Sequence, residues 1–449
     1  MALRLDTLPV EIIREIFLEV ATIGQDFTAT QPLLVLCRTC KRFKDIATPL
    51  LVRHWKWVGK DSASRLRLFI RHLHRHPEYE VEVRQICFWP INRTFIERTE
   101  KRLPSPEFSQ DDGETLERLA RESILGSNAD LVKLVSNGDD KAVNDALLVL
   151  LLTRTPLLEH LDFKFCPRSY AAKLINKIAQ LSESPNPGLT LPLQYLRSVF
   201  LRSPDSISVH VNDYGALFCL PRLNEITVCY PGTVLDPSRP TTLRPRVSNV
   251  KRIEIYSING DFEGLCTVIE SCKALKSLVI CDGLYTKSYC MERFGRRLTL
   301  SQAHSLENLD IDEFTDGRFS QPCLREALIK LTTLHSLHIH IESIYTDDEI
   351  MGSAAALKSL YLLLPTSLKR LVLKQPRGEW RGWVYGRRVI LILEQYVSDI
   401  LAGREQTALE FIYAWQWLLR VDKVCAKLRR LCNEASISLK VCPPRSEWV

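Results

Sequence analysis

The chain lacks a long apolar run. Its longest, "ALLVLLL" from Ala146 to Leu152, is far shorter than the roughly 20 residues that a helix needs to cross a bilayer. The first residues, "MALRLDTLPVEIIREIF", place Asp6, Glu11 and Glu15 where a secretory signal would need an unbroken apolar stretch. We therefore expect no membrane segment, and a location in the cytoplasm, the nucleus or both.

The sequence also lacks the motifs of common catalytic sites. It has no phosphate-cradling Gly-x-x-x-x-Gly-Lys, no Gly-x-Ser-x-Gly elbow and no His-Glu-x-x-His. A Cys-x-x-Cys pair occurs once, at Cys37 and Cys40, and the next cysteine is Cys87, so this pair does not supply the four ligands of a zinc site. The remaining cysteines are scattered singly, as free buried thiols are. We expect no enzyme active site, no metal and no cofactor.

Concentrated charge is missing as well. The net charge is only +7 over 449 residues, and the 60 Lys and Arg are dispersed among 53 Asp and Glu. Nucleic-acid-binding domains carry clustered basic residues, so we do not expect a nucleic-acid partner, and a nucleic-acid-binding solenoid stays a distant alternative. The chain is too long for one ordinary core, which predicts several domains or a repeat array.

Two apolar stripes with helical periodicity begin the chain. Pro9 followed by apolar residues at i, i+3 and i+4 through Val20 predicts an amphipathic helix that begins at Pro9. A second stripe runs from Leu33 to Leu50 and includes Cys37 and Cys40 in mid-helix. This pattern favours packed helix cysteines over a zinc site or a redox pair, since a thioredoxin-like pair follows a strand and starts a helix.

The segments "LPVEIIREIF" and "LVLCRTCKRFKDIATPLL", with Trp55 just beyond them, resemble the F-box. The resemblance covers roughly Thr7 to Trp57, and we assign residues 1–57 to an F-box-like helical module. The stretch between the stripes, Ala21 to Thr30, is longer than in many F-boxes. The resemblance implies a small bundle that binds the Skp-type adaptor of cullin–RING ubiquitin ligases, and cullin through it. The residues that we expect to contact the adaptor are Leu8, Pro9, Ile12, Ile16, Leu50 and Leu51.

A short apolar pattern, L-x-x-L-x-L, recurs through the rest of the chain. From the second unit to the ninth the spacing varies between 25 and 38 residues, which straddles the period of leucine-rich repeats. Each unit ends in the period-two alternation of a strand, and most units follow a helical stretch. We therefore predict an α/β fold in which the F-box-like bundle precedes an irregular leucine-rich-repeat-like solenoid over residues 58–449. The units begin at Val83, Leu158, Leu196, Leu223, Val250, Leu275, Leu306, Leu334, Leu368 and Leu409.

Two segments interrupt the predicted array. Residues 91–141 contain a polar Pro- and Asp-bearing surface loop followed by an amphipathic helix from Glu114. Residues 375–389 form a Gly-, Arg- and aromatic-rich loop, either for recognition or to cover the end of the solenoid. A final helix and a strand near residues 437–441 cap the array.

A target would bind on the concave sheet of such a solenoid, where alternate strand residues point outward. Aromatic and Arg side chains dominate binding energy at interfaces, unless the helical module or the loops cover them here. His338 and His340 lie two apart on one strand, and two ligands do not make a metal site. The candidate substrate-binding residues are Trp89, Phe200, Arg202, Tyr256, Asp310, Asp312, His338, His340, Trp380 and Trp383.

Together these features predict a substrate-recognition adaptor of an SCF-type ubiquitin ligase. The resemblance implies that the helical module docks on the Skp-type adaptor while the repeat array binds a target protein, whose identity the sequence does not give. The alternative is a leucine-rich-repeat scaffold that binds partners outside ubiquitination and shares every feature after residue 60.

Overall fold

A computed structural model of the chain forms two compact units. One comprises residues 1–204 and 220–223, and the other residues 205–219 and 224–449. The structure describes residues 7–22, 30–59, 62–90, 110–125, 131–133, 140–165, 169–183, 191–202, 211–229, 243–256, 263–283, 288–313, 324–352, 359–374, 383–403, 408–414 and 422–441.

The fold is mixed α/β, as predicted, and its strands are parallel. Every strand pair with a described register is parallel. The described residues contain twelve strands. They are β1 (His54–Gly59), β2 (Gln85–Pro90), β3 (His160–Lys164), β4 (Ser198–Arg202), β5 (Glu225–Cys229), β6 (Arg252–Tyr256), β7 (Ser277–Gly283), β8 (Asn308–Glu313), β9 (Ser336–His340), β10 (Arg370–Lys374), β11 (Phe411–Ala414) and β12 (Ser438–Val441).

Helices separate most of the strands along the chain. The described α-helices are α1 (Val10–Thr22), α2 (Thr30–Thr39), α3 (Lys41–Arg53), α4 (Ser62–Arg75), α5 (Gln110–Glu122), α6 (Asp140–Arg154), α7 (Tyr170–Glu183), α8 (Val211–Tyr214), α9 (Glu263–Ser271), α10 (Ser288–Gln302), α11 (Arg325–Lys330), α12 (Asp347–Met351), α13 (Trp383–Leu401) and α14 (Asp422–Glu434). Short 3-10 helices occur at Pro77–Tyr79, Gly215–Cys219, Ile341–Ser343 and Leu360–Leu362.

Strands pair in chain order within each unit, β1 to β4 in the first and β5 to β12 in the second. The same bond pattern recurs ahead of successive strands. The carbonyl of Lys251, for example, accepts the N–H of Lys276 at 2.8 Å and that of Ser277 at 2.9 Å. Neighbouring helices also pack on each other, α4 on α6 in the first unit and α9 on α10 in the second. The spacing of the units varies, but the first residues of successive strands pair with each other in every described register, and the β7–β8 pair shifts register only further along, between Ile280 and Gly283.

The repeated apolar positions form the core. In β3, Leu161 and Phe163 are 1 % and 0 % exposed, whereas Asp162 between them is partly exposed. Burying one such side chain contributes roughly 1.5–3 kcal/mol. Most other units repeat this alternation, because successive strand residues point to opposite faces of a sheet. In β2 and β10 the residues between the apolar pair, Cys87 and Val372, are buried as well.

The predicted units correspond to β2 through β11, and the predicted final strand is β12, so these assignments are confirmed. Strand β1 was not predicted from the sequence. Its residues up to Trp57 belong to the predicted helical module, but Trp55 stacks on Phe69 of α4 with ring centroids 4.8 Å apart, and His54 pairs in register with Gln85 of β2. The helices of the module therefore end at Arg53, and α1–α3 share a compact unit with β1–β4.

The second apolar stripe is two helices rather than one. Helix α2 ends at Thr39, and Cys40 is the N-cap of α3, with extended backbone and a thiol that accepts the N–H of Phe43 at 3.4 Å. The mid-helix assignment of the cysteine pair is therefore wrong. Cys37 packs against the core of the module, as expected, whereas Cys40 is exposed.

The two predicted insertions are described in part. Residues 91–109 and 375–382 lie outside the described residues. Helix α5 begins at Gln110, four residues before the predicted start, and buries Leu116 and Leu119. Residues 383–389, predicted as loop, belong to α13, which begins at Trp383.

Candidate interaction surfaces

The helical module, α1–α3, has a small core of its own. Ile13 and Phe17 of α1 pack with Ile46 and Leu50 of α3. The ring of Phe17 also meets that of Phe43 edge-on, with centroids 5.3 Å apart. A core of this size cannot cover every apolar side chain of three helices.

Several large apolar side chains of the module are exposed. Val10 and Ile12 of α1 are 47 % and 48 % exposed, and Leu34 and Val35 of α2 are 37 % and 58 % exposed. Single exposed leucines are common on proteins, and here four large apolar side chains within two packed helices stay open to solvent.

Most of the predicted adaptor contacts are exposed or partly exposed. Pro9 and Ile12 are exposed, and Leu8, Ile16 and Leu51 are partly exposed while packing against the core. Leu8, Ile12 and Ile16 follow at intervals of four residues, which sets them along one stripe of α1 and the turn before it.

Leu50 is the exception, because it is 2 % exposed inside the module core. Its predicted exposure is wrong: the side chain holds α3 against α1 and cannot reach a partner while the module is folded. The exposed side chains of Val10, Leu34 and Val35 were not among the predicted contacts. Their exposure depends on how α2 packs, and apolar periodicity does not give that.

The sheet of the first unit carries aligned side chains on the face opposite its buried residues. Lys56, Cys87, Asp162 and Phe200 form one row across β1 to β4. Two residues further along the strands, Val58 pairs in register with Trp89, and Lys164 pairs in register with Arg202. We call Trp89, Asp162, Phe200 and Arg202 the Arg202 cluster.

Side chains of the Arg202 cluster hold one another in place. The indole Nε1 of Trp89 donates to Oδ1 of Asp162 at 2.6 Å. The guanidinium carbon of Arg202 lies 3.5 Å from the centroid of the Trp89 ring and 4.6 Å from that of Phe200. Arg202 Nε is 3.8 Å from Asp162 Oδ1, which is too far for a hydrogen bond. Stacking on the aromatic rings therefore positions the guanidinium.

Two acids beneath the guanidinium have raised pKa values. Burial raises the pKa of Asp162, although the Trp89 hydrogen bond and the Arg202 charge oppose the shift. Burial, and then the Asp162 charge, raises the pKa of the Cys87 thiol to about 12. Cys87 Sγ donates to Asp162 Oδ2 at 3.8 Å. Cys87 therefore stays a neutral thiol near neutral pH and is not an activated nucleophile.

A second group of polar side chains lies on the sheet of the second unit. Asp310 of β8 accepts a hydrogen bond from Nδ1 of His338 of β9 at 3.1 Å and forms an ion pair with Lys374 of β10. The side chains are 25 %, 13 % and 12 % exposed, in that order. We call Asp310, His338 and Lys374 the Asp310 cluster.

The charges of the Asp310 cluster neutralise one another. Burial by itself would raise the pKa of Asp310, but the hydrogen bond from His338 and the charge of Lys374 outweigh it, so the pKa is lowered. Asp310 is therefore ionised at neutral pH.

A parallel pair lies two residues along the same strands. His340 Nε2 is 3.0 Å from Asp312 Oδ1, and both residues are buried, at 6 % and 5 % exposure. The expected outward position of these two residues is wrong, so neither is available to a target in the folded chain. The two histidines pair with different carboxylates and do not share a ligand.

Ser336 completes a chain of contacts that also occurs in Ser–His–Asp hydrolases. Its Oγ lies 3.3 Å from Nε2 of His338, whose Nδ1 contacts Asp310. However, the N–H of Ser336 donates to the carbonyl of Glu307 at 3.0 Å, so it cannot stabilise an oxyanion. We interpret the chain of contacts as a polar network that orders the sheet surface.

Tyr256 belongs to a separate group on β5 and β6. Its hydroxyl donates to Oε2 of Glu254 at 3.3 Å, and Glu254 also accepts from Nε of Arg252 at 2.9 Å. Burial and the Glu254 charge raise the pKa of Tyr256 to about 12. Two candidates remain: Trp380 lies outside the described residues, and Trp383 is the first residue of α13.

Thus the structure brings together Trp89, Phe200 and Arg202 in one place and Asp310 and His338 in another. Asp162 and Lys374, which complete these clusters, are missing from the candidate residues, although the same period-two alternation identifies them as outward-facing. Lys56 is missing because β1 itself is absent from the predicted array.

Within the described ranges, no three His, Cys, Asp or Glu side chains lie close enough together to hold a metal ion. The helices in this part of the chain are also too short or too polar for any of them to cross a membrane. The chain matches no protein-family model and no curated protein.

Proposed function

We propose that the protein is a substrate-recognition adaptor of an SCF-type ubiquitin ligase, in which an F-box-like module docks on a Skp-type adaptor and a leucine-rich-repeat-like array binds a target protein. The observation that carries the proposal is the difference in exposure between the two parts. The small module leaves Val10, Ile12, Leu34 and Val35 at its surface, whereas the strand units bury their repeated apolar positions.

The docking chemistry follows from α1. Leu8, Ile12 and Ile16 give an apolar stripe with the i, i+4 spacing by which amphipathic helices enter grooves. Polar groups also order this end of the chain, because Arg42 donates to the carbonyl of Leu8 at 2.7 Å. The stripe thus has a fixed backbone before a partner binds, which lowers the ordering cost of association.

The array would supply geometry rather than chemistry. A target held by the strands is tethered near the catalytic subunits, and tethering raises the effective concentration of the acceptor lysine. The chain itself needs no active site, metal or cofactor for this role. A location in the cytoplasm, the nucleus or both belongs to the same proposal.

The test is binding of the purified full chain to a purified Skp-type adaptor. We expect Ile12→Asp to weaken binding more than about tenfold, because a charge would be buried in an apolar contact. Leu300→Asp is the matched control, since Leu300 is 74 % exposed on α10 in the other unit. Leu50→Asp is unsuitable, because it would disrupt the module core. Equal binding by wild type and Ile12→Asp would refute the docking surface.

The alternative remains a repeat scaffold that acts outside ubiquitination. The strand array by itself supports that function as well as the adaptor function. Binding of target proteins by a chain that has no measurable affinity for any Skp-type adaptor would select the scaffold.

A further inference from the structure

Stacking positions the guanidinium of Arg202, and its ion pair with Asp162 is long, with Nε and Oδ1 3.8 Å apart. Its side chain is 41 % exposed and rests on the Trp89 ring. No described residue forms a hydrogen bond with the guanidinium nitrogens, and the buried Nε is unsatisfied within the described chain. Asp162, the nearest carboxylate, already accepts from Trp89 and from Cys87.

The surroundings of Arg202 favour an anion. Across the rows of outward side chains on β1 to β4, the described residues contain three cations, Lys56, Lys164 and Arg202, and one carboxylate, Asp162. The ring of Phe200 adds an apolar wall next to the guanidinium. A planar fork of N–H donors on an aromatic support is the arrangement that binds a carboxylate through two parallel hydrogen bonds.

We propose that the Arg202 cluster is a binding site for an acidic side chain, Asp or Glu, of a protein segment that lies on the strands of the first unit. The carboxylate would accept from the two terminal nitrogens of Arg202, and the aliphatic part of the bound side chain would contact Trp89 and Phe200. Asp162 Oδ1 lies 3.8 Å from Arg202 Nε, and a carboxylate there repels a dianionic phosphate more than a monoanionic carboxylate, which the site therefore favours.

The inference deepens the proposed function by naming the class of target, and it rests on target binding by the array. It does not depend on adaptor docking, because its test uses the full chain alone. The probe is an array of hexapeptides with degenerate flanking positions and a central Glu, Gln, phosphoserine or Lys. We expect wild type to bind the Glu peptides roughly ten to a hundredfold more strongly than the Gln peptides, the range for hydrogen bonds to charged groups.

Variants assign the effect to the cluster. Arg202→Met should bring the Glu-to-Gln ratio to about one, and Arg202→Lys, which keeps the charge but not the fork, should retain only a small part of it. Arg197→Met, at an exposed arginine just before β4, is the matched control and should keep the wild-type ratio. Asp162→Asn should increase binding of Glu peptides several-fold, because it removes the neighbouring negative charge and keeps an acceptor for Trp89. This gain cannot be produced by misfolding.

Three outcomes would overturn the proposal. They are equal binding of Glu and Gln peptides by wild type, an equal loss in Arg197→Met and Arg202→Met, and stronger retention of phosphoserine than of Glu peptides. The last would reassign the site to phosphorylated segments.

Discussion

The Arg202 cluster and the Asp310 cluster contain the same kinds of group but differ in how the cation is held. In the first, Arg202 of β4 lies beside Asp162 of the neighbouring strand β3. In the second, Lys374 of β10 reaches Asp310 of β8 across β9, the strand of His338. Lys374 forms an ion pair with Asp310, which His338 also contacts, so these charges neutralise one another within the cluster. Arg202 instead stacks on Trp89 and stays beyond hydrogen-bond distance of Asp162. Residue type alone therefore does not identify a binding position: the geometry between strands decides whether a charge stabilises the fold or remains available.

The largest expected effect is on the reactivity of Cys87, whose thiol contacts Asp162 of the Arg202 cluster. With a pKa near 12, Cys87 should have about a thousandfold less thiolate than an ordinary cysteine of pKa about 8.5. Exposed Cys40 serves as the internal reference. Iodoacetamide labelling of the native chain at pH 8, read by peptide mass, should modify Cys40 and leave Cys87 unmodified. Comparable labelling of both cysteines would mean that the Cys87 thiol is open to solvent.

Removing the shared carboxylate should destabilise the Asp310 cluster strongly. Asp310→Ala removes the carboxylate that pairs with Lys374, at 12 % exposure, and contacts His338, at 13 %. Breaking a buried pair from one side costs roughly 3 kcal/mol or more in free energy of unfolding. Urea unfolding of the full chain measures the loss. Asp162→Asn is the comparison variant, and we expect it to change stability by less than about 1 kcal/mol. Similar costs for both variants would erase the distinction between the clusters.

The two carboxylates should respond to acid in opposite directions. The lowered pKa of Asp310 contributes stability above its unfolded pKa of about 3.9, and this is lost as the pH falls through the lower folded value. The raised pKa of Asp162 contributes stability that is present below about pH 3.9 and lost as the pH rises through the folded value.

Unfolding free energies from pH 3 to pH 7 test both signs. The advantage of wild type over Asp310→Asn should shrink as the pH falls, whereas wild type should gain on Asp162→Asn. Two parallel profiles would contradict the assigned causes.

The smallest expected loss in free energy of unfolding is at an exposed ion pair. Lys276 and Glu307 are 2.7 Å apart but 50 % and 36 % exposed. Solvent and salt screen such a pair, so Lys276→Ala should cost less than about 1 kcal/mol in free energy of unfolding. The same urea titration measures it. A cost close to that of Asp310→Ala would show that burial does not separate the two kinds of pair.

Sequence patterns predicted the strands well, because each strand must bury alternate residues whatever its neighbours do. Leu337 and Ile339 are fully buried in β9, for example, as the spacing indicates. The same logic overlooked β1, whose Trp55 and Trp57 also alternate but follow directly on a helix.

The candidate sites were less predictable, since their properties arise between strands distant in sequence. Alternation identifies Arg202 and His340 equally as outward-facing. Only the register across strands shows that His340 is paired and buried while Arg202 rests on Trp89, a residue more than one hundred positions earlier. Likewise, the sequence predicted both Leu50 and Ile12 as exposed adaptor contacts, but the packing of three helices buries Leu50 and exposes Ile12.

Hydrogen–deuterium exchange of the full chain, with and without a purified Skp-type adaptor, tests the adaptor proposal most directly. We predict that the adaptor slows exchange in α1 and α2, around Ile12 and Val35, and leaves the strands from β3 onward unchanged. Protection confined to the strands, or no protection at all, would contradict it.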